Sequence, residues 1–238
     1  MKNGLKISVL LLGIIFFGCV HNKEELKVEY YETGDVKAIG TLKDTKRVGV
    51  WAFYDELGTR VDSIVYQNGK KNGWLRGYDL RIRQLDKEGQ YKDDKETGVW
   101  KTYHAGGTVH TIETFEKGNK IGESVYYYAG GNPKISILYN NQGQKHGLTT
   151  EYYTNGLVAV TGQYEQDVPS GTWKEYYENN KLKESYSYQS GLWHGVYEKY
   201  HANGLLATKG MYNQDTRTGI WKYYDEKGNE LDNEIIEE

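Results

Sequence analysis

The sequence predicts an all-β fold, an elongated single-layer antiparallel sheet of about nine tandem β-hairpin repeats, each 24–25 residues long. Glycines recur at this interval, and a tyrosine follows each of them by five residues. The leading glycines are Gly49, Gly73, Gly98, Gly122, Gly147, Gly171, Gly195 and Gly219. The tyrosines are Tyr54, Tyr78, Tyr103, Tyr127, Tyr152, Tyr176, Tyr200 and Tyr224. A fixed period of this size indicates stacked copies of one supersecondary unit.

Counting from each leading glycine shows how one unit is built. Position +2 is often tryptophan or tyrosine, and position +17 is again a large aromatic ring. Position +9 is a turn residue such as Gly156, which Asn155 precedes, and Asn-Gly between apolar runs is a strong hairpin signal. Four residues before the leading glycines from Gly73 onward stands glycine or aspartate, as in Gly69 and Asp94, so we expect positive φ there. Each unit is therefore strand, tight turn, strand, tight turn, which gives about eighteen strands.

A second glycine accompanies the aspartate-type turns. It begins the Gly-x-Tyr sequences at Gly89, Gly162 and Gly210, each in the strand before such a turn. Glycine inside a strand is typical of a β-bulge, which we expect at these positions.

The composition agrees with a folded repeat protein. Hydrophobic residues make up only 37% of the 238-residue chain, but 14% are aromatic, including 23 tyrosines, which argues against disorder. The formal net charge of −3 provides no basic footprint for nucleic acid. Only two prolines interrupt the chain, so long stretches are free to pair as strands.

The first eighteen residues do not follow the repeat. Lys2 and Lys6 precede an apolar run over residues 7–17, which is too short to span a bilayer core of about 30 Å and is typical of a signal peptide. Gly18 and Cys19 follow, and Cys19 is the only cysteine in the chain. The alternative is a buried free thiol at this position. The segment resembles a bacterial lipoprotein signal, which implies removal of residues 1–18 and lipid attachment at Cys19.

Residues 19–25 are expected to form a tether between the lipid and the array. The run Lys23-Glu24-Glu25 resembles the export signal that sends some lipoproteins to the outer face of the outer membrane. A solvated charged tether is an equally good interpretation of this run. The expected localisation is the bacterial cell envelope, lipid-anchored, at the outer membrane and surface-exposed. Without a basic face, the lipid would hold the protein there.

The sequence pattern of the repeat itself resembles that of a known family. Gly171-Thr172-Trp173-Lys174-Glu175-Tyr176-Tyr177 and Gly143-Gln144-Lys145-His146-Gly147 are similar to MORN repeats, in the bacterial variant of YwqK-type antitoxin-like proteins. The resemblance covers residues 26–231, leaving an acidic tail at 232–238, and implies an elongated hairpin array that acts in scaffolding and in partner or membrane contact. The unit from Gly73 departs most from the pattern, because Trp74 stands one place early and Ile82 replaces the turn glycine.

We find no catalytic constellation in the sequence and expect no enzyme activity, cofactor or metal. His104 and His201 share position +6, and His146 and His194 each precede a leading glycine, so repetition predicts turn and surface histidines in separate units. Calcium binding by aspartate turns is a weaker alternative, since glycine replaces the carboxylate in sister units. No hydrolase, zinc-protease or phosphate-loop motif occurs.

Aromatic rings are the remaining candidates for binding. Rings at positions +4 and +6 are expected to widen an exposed aromatic strip, although packing alone could explain any one of them. These candidates are Phe53, Tyr126, Tyr128, Tyr153, Tyr177 and Tyr223. The +5 tyrosines are expected to be buried. The favoured function is a non-catalytic, membrane-anchored scaffold for a protein partner, and the alternatives are an antitoxin-like protein and a glycan-binding surface lipoprotein.

Overall fold

The computed structural model describes residues 23–236, so Cys19 and the predicted signal peptide lie outside the described residues. The described part contains twenty β-strands and no helix, and therefore no helix long and apolar enough to cross a membrane. The strands are β1 Glu24–Tyr30, β2 Val36–Lys43, β3 Lys46–Tyr54, β4 Arg60–Gln67, β5 Lys70–Asp79, β6 Gln84–Lys92, β7 Lys95–Tyr103, β8 Val109–Glu116, β9 Asn119–Lys120, β10 Gly122–Tyr127, β11 Pro133–Tyr139, β12 Lys145–Tyr152, β13 Val158–Glu165, β14 Val168–Tyr176, β15 Leu182–Gln189, β16 Leu192–Trp193, β17 Gly195–Tyr200, β18 Leu206–Asn213, β19 Thr216–Tyr223 and β20 Glu234–Ile236.

The strands form one open antiparallel sheet of consecutive hairpins, as the period predicts. Each strand pairs with the next along the chain, for example β3 with β4 and β4 with β5. Two strands are interrupted, so that β8 pairs with both β9 and β10, and β15 pairs with both β16 and β17. Counting each interrupted pair once gives the eighteen strands expected. Pairing runs from Glu24 to Ile236, and thus extends beyond residues 26–231 at both ends.

The tight turns have the backbone conformation that their residues predict. Asp93 and Asp94 both have positive φ, 50° and 68°, which is the type I′ geometry that matches the twist of a two-residue hairpin. Positive φ occurs at every glycine or aspartate four residues before a leading glycine, and at Asn180 and the glycines of position +9. Both turn predictions are confirmed.

The leading glycines occupy β-bulges. Between the pairs Ile39–Ala52 and Thr41–Val48, three residues of β3 that begin with Gly49 lie opposite one residue of β2, Gly40. Gly49 has φ 65°, a left-handed conformation that costs glycine little. The same three-to-one arrangement recurs opposite Gly89, Gly162 and Gly210. A bulge is therefore present opposite Gly89, Gly162 and Gly210. Its extra residues belong to the following strand, however, and not to the strand that contains these glycines.

The core follows position +2 along one side of the sheet, which we call the inner face. The +2 residue is buried in every unit, and these residues are Trp51, Leu75, Trp100, Ser124, Thr149, Trp173, Tyr197 and Trp221. The +5 tyrosines are only half-buried, so the expectation that they are the buried rings is wrong. Positions +2 and +5 differ by three residues, and the alternation of a strand places them on opposite faces.

Aromatic residues divide this core into two clusters. The N-terminal cluster comprises Trp51 and Trp100 with Ala38, Ile64, Tyr66 and Leu75. The C-terminal cluster comprises Trp173, Tyr186, Tyr197 and Trp221. Between them lie the two units from Gly122 and Gly147, here called the central units, whose +2 residues are Ser124 and Thr149. The core is thus aromatic at both ends of the array and small and polar in the middle.

Tryptophan at +2 explains the second glycine. A Cβ atom at Gly40, Gly89, Gly162 or Gly210 would overlap the indole ring of the tryptophan eleven residues later. The indole nitrogens of Trp51 and Trp100 also donate hydrogen bonds to the backbone oxygens of Thr41 and Gln90, both at 3.1 Å. In the four units without tryptophan, the residue eleven positions before +2 is not glycine. Glycine and tryptophan are therefore two halves of one packing arrangement.

The two ends of the array are finished differently. In β1, the exposed Lys27 stands where the other units place a core residue, and a charge pointing to the inner face discourages further strand pairing. At the other end, β20 has three residues, and its Ile236 packs on the C-terminal cluster. Terminal units with atypical cores are the expected caps of a repeat array.

Candidate binding face

The opposite side of the sheet, the outer face, carries positions +1, +3 and +5 of each unit. An apolar stripe runs along position +1, whose six apolar side chains are 48–60% exposed. They are Val50, Trp74, Val99, Leu148, Val196 and Ile220. Glu123 and Thr172 occupy the same position in the two remaining units. Large apolar side chains that repeat in register on one face are typical of a contact surface.

The unit from Gly73 contributes to this stripe through its irregular sequence. Leu75 takes the buried +2 place and is 4% exposed, so Trp74 is directed to the outer face. The missing turn glycine is replaced by a longer turn in which Arg83 adopts φ 53°. In that turn the Asp79 carboxylate accepts hydrogen bonds from the backbone N–H and the guanidinium of Arg81. The expected irregularity is therefore local, and the sheet continues through it.

The +5 tyrosines form a ladder along the outer face. Each half-buried ring pairs across the hairpin with residue +11 or +12, which is usually apolar, as in the pairs Tyr152–Val158 and Tyr176–Leu182. Two ladder hydroxyls donate to carboxylates, Tyr103 to Glu88 at 2.7 Å and Tyr200 to Glu198 at 2.9 Å. Burial, followed by the hydrogen bond to Glu88, raises the pKa of Tyr103 to about 12, so this phenol stays protonated at neutral pH.

The tyrosines at position +6 tie neighbouring units together. The hydroxyls of Tyr128 and Tyr177 donate to the backbone oxygens of Tyr152 and Tyr200, at 2.8 and 2.7 Å. Tyr153 makes the same bond to the oxygen of Tyr176. All three rings are half-buried, so the prediction that they form an exposed strip is wrong for them. Each hydroxyl therefore bonds the last residue of the first strand in the next unit.

The predicted rings at position +4 lie on the inner face and are also half-buried. Phe53 packs against the N-terminal cluster, and Tyr223 packs against the C-terminal cluster. The Tyr126 hydroxyl donates to Glu113 at 3.0 Å. The expected exposed strip is wrong for these residues too, because +4 shares the inner face with +2. The apolar side chains that repeat in register and are exposed stand at +1 instead. The sequence period alone did not show whether +1 or +4 would be the exposed position.

The four histidines that repeat in register lie in separate units, as the repeat predicts. His104 and His201 replace the +6 tyrosine, and their Nε2 atoms lie 3.0 and 2.9 Å from the backbone oxygens of Tyr127 and Tyr224. His146 and His194 are exposed. The sequence did not predict that the rings of His104 and His110 lie 4.5 Å apart across their hairpin. Within residues 23–236, no group of three or more metal-ligating side chains occurs.

Comparison with known proteins identifies one repeat. Residues 169–190 match the family model described as MORN repeat variant, and these residues form the hairpin of β14 and β15. No curated protein matches the chain.

Solved structures that resemble the chain are distant. A chain in the crystal structure of TcdB2-TccC3-Cdc42 has 9% identity over 88% of this chain, with a TM-score of 0.23. A chain in the crystal structure of TcdB2-TccC3 without its hypervariable C-terminal region has 15% identity over 85% of this chain, with a TM-score of 0.24. This chain spans only 14% and 12% of those two chains, and likeness at this level carries no argument.

Proposed function

We propose that this chain is a non-catalytic, lipid-anchored repeat protein whose outer face binds a protein partner. The observation that carries the proposal is the exposed apolar side chain at position +1 in six of the eight units, on the face opposite the core. We further infer that the whole array is of the MORN type found in YwqK-like proteins. Most units repeat the positive-φ turns of the matched hairpin at 169–190, and the unit from Gly73 differs in one turn.

The stripe is broadest at the C-terminal end of the array. Val196 pairs with Met211, and Ile220 pairs with Ile235. Met211 is 52% exposed and Ile235 is 72% exposed. A cluster of exposed apolar side chains next to charged residues such as Lys222 has the composition of a protein contact, with an apolar centre and a polar rim. We therefore assign the protein-binding site to the outer face of β17–β20.

Anchoring would come from lipid on Cys19. Strand β1 begins at Glu24, five residues after this cysteine, and five extended residues reach about 17 Å. The anchor would thus hold β1 near the bilayer and leave the C-terminal units farthest along the array from it. An N-terminal cysteine that carries several acyl chains meets the two-signal requirement for stable membrane binding.

The anchor is tested by Cys19→Ser, followed by cell fractionation and detergent-phase partitioning. We expect the wild-type protein in the membrane fraction and the variant in an unprocessed or soluble form. Membrane retention equal to wild type would contradict lipidation at Cys19. Recovery of the wild-type protein from the cytosol would instead favour the antitoxin-like alternative.

The contact face is tested by placing a photo-crosslinking amino acid at Met211 in native membranes. A matched control carries it at Asn179, an exposed turn residue away from the outer face. We expect a discrete crosslinked species from position 211 and none from position 179. The species should disappear when Ile220→Glu is added. Equal crosslinking from both positions would contradict a specific site on β17–β20.

A further inference from the structure

The outer face of the central part of the array differs in chemistry from the rest. We call the outer face of β10–β15 the hydroxyl zone. Its charged side chains are Glu123, Glu165 and Lys174, and the remaining positions are mostly aromatic, aliphatic, hydroxyl-bearing or amide-bearing. The hydroxyl-bearing residues of the zone are Tyr127, Ser136, Thr150, Tyr152, Thr161, Thr172, Tyr176, Ser185 and Ser187. About a quarter of the whole chain is charged, so this face is depleted of charge.

Charges return on both sides of the zone. The preceding units present Arg76 and Lys101 at position +3, and the following units present Glu198 and Lys222 there. Several of these charges are paired, as in Arg76–Glu88 at 3.5 Å and Lys209–Glu198 at 2.9 Å. The zone is therefore a bounded stretch of about six strands, and its uncharged character is not general to the outer face.

The tyrosine ladder of the zone keeps all its hydroxyls free of carboxylates, and the flanking Tyr54, Tyr78 and Tyr224 hydroxyls make no hydrogen bond within the described residues either. Tyr103 and Tyr200, in the charged flanks, donate their hydroxyls to carboxylates. The hydroxyls of Tyr127, Tyr152 and Tyr176 make no hydrogen bond to any residue that the structure describes, and neither does that of Thr150. These half-buried groups keep donors and acceptors free beside flat rings. A ligand that offers both apolar faces and hydroxyls would satisfy the two features together.

The spacing of the ladder favours a polymer. Successive +5 tyrosines are two strands apart, which is about 9.6 Å, a distance that about two pyranose rings of an extended chain cover. Sugar rings present C–H faces to aromatic rings and hydroxyls to polar side chains. An acidic polymer would find only Lys174 as an exposed cation within the zone, so charge complementarity favours a neutral one.

We propose that the hydroxyl zone binds a neutral, extended polysaccharide, which lies along the ladder of Tyr127, Tyr152 and Tyr176. This site is separate from the apolar face of β17–β20, so the protein contact and the glycan contact can succeed or fail independently. An extended, ribbon-like β-linked chain can follow several tyrosines of the ladder, whereas a coiled α-linked chain would contact fewer of them.

The test uses full-length protein in a detergent without a sugar headgroup, with binding measured by isothermal titration calorimetry. The probes are cellohexaose and chitohexaose as neutral β-linked chains, maltohexaose as a coiled chain, and a galacturonate hexamer as an acidic chain. We expect binding of at least one neutral β-linked hexamer, weaker binding of maltohexaose and none of the galacturonate. Failure of both β-linked hexamers to bind, or preference for the acidic chain, would overturn the proposal.

Three variants connect binding to the ladder. Tyr152→Leu removes the ring and should weaken binding about tenfold or more, whereas Tyr152→Phe keeps the ring and should change it by no more than about threefold. Tyr54→Leu makes the matched change in a flanking unit and should leave binding unaltered. Circular dichroism confirms that each variant is folded before titration. Equal losses from Tyr152→Leu and Tyr54→Leu would place the glycan elsewhere and refute the assignment to the zone.

Discussion

The central units and the four units with tryptophan at +2, here called the aromatic units, share one backbone arrangement but have different core residues. In the aromatic units, a tryptophan at +2 covers a glycine of the preceding strand, as Trp173 covers Gly162. In the central units Ser124 and Thr149 take the same place, and residues 113 and 138, eleven positions earlier, are not glycine. Both kinds of unit have positive φ in the turn before the leading glycine and irregular strand pairing near that glycine. The turns and the bulge thus define the fold, and the core residue sets how strongly each unit is held.

This difference should appear as uneven stability along the array. Aromatic rings contact one another from Tyr91 to Phe115 and again from Tyr164 to Trp221. In the repeat model each unit is stabilised mainly by its neighbours, so a segment with small core residues is a weak link between two stronger segments. The central units are therefore the expected boundary between two cooperative halves.

The largest effect is expected when an aromatic core residue is removed. Trp173→Ala should lower the free energy of unfolding of the C-terminal half by about 3–5 kcal/mol, because it leaves a large cavity in the cluster. The matched change in a central unit, Thr149→Ala, should cost about 1 kcal/mol, since it removes one hydrogen bond to the Ser136 oxygen and little volume. Urea unfolding and hydrogen exchange measure both.

Hydrogen exchange also tests the boundary. In Trp173→Ala, we expect faster exchange over residues 160–236 and unchanged protection over residues 38–115. Uniform loss of protection across the whole chain would mean a single cooperative core, and the division into two halves would be wrong.

The next effect concerns the glycine that the tryptophan covers. Gly162→Ala should destabilise the protein by about 1–3 kcal/mol, because its methyl group would displace the Trp173 indole. In a Trp173→Leu background, the cost of the same alanine should fall by more than half, since the ring is gone. Leu138→Ala, eleven residues before Thr149, is the control and should cost less than Gly162→Ala. Additive effects in the double variant would show that the two residues are not one packing arrangement.

A smaller effect of opposite sign is expected in the central units. The Ser124 side chain is fully buried, and its hydroxyl has no hydrogen-bond partner among the described residues. An unpartnered buried hydroxyl is destabilising, so Ser124→Ala should raise the free energy of unfolding by about 1 kcal/mol. Thermal and urea unfolding test this change. A lower stability would show that the hydroxyl contributes an interaction.

The smallest effect concerns the ties between units. Tyr153→Phe removes the hydroxyl that donates to the Tyr176 oxygen and should cost about 0.5–1 kcal/mol. Tyr152→Phe, one residue earlier, changes a ladder hydroxyl that makes no hydrogen bond within the described residues and should be nearly neutral. Urea unfolding of the two variants compares them directly. A larger loss from Tyr152→Phe would reverse the roles assigned to positions +5 and +6.

Much of this architecture follows from the sequence alone. The period of 24–25 residues, the strand count and the positive φ of the turns are local properties, because glycine, asparagine and aspartate adopt the left-handed region at low cost. The MORN resemblance at Gly171–Tyr177 lies within the matched hairpin at 169–190. The separation of His104, His146, His194 and His201 into different units follows from the repeat as well.

The tertiary structure decided which rings are buried. The sequence repeats +2, +4, +5 and +6 aromatics at the same interval, so the period alone cannot tell core rings from exposed ones. The face of each residue is set by the bulges, where three residues lie opposite one, and by the pairing of neighbouring strands. These features place +2 and +4 on the inner face and direct Trp74 to the outer face. Hydrogen bonds between units leave Tyr128, Tyr153 and Tyr177 half-buried, where an exposed strip was predicted. The face that a side chain occupies and the residues that it contacts depend on the neighbouring strands. A local sequence pattern does not specify those strands.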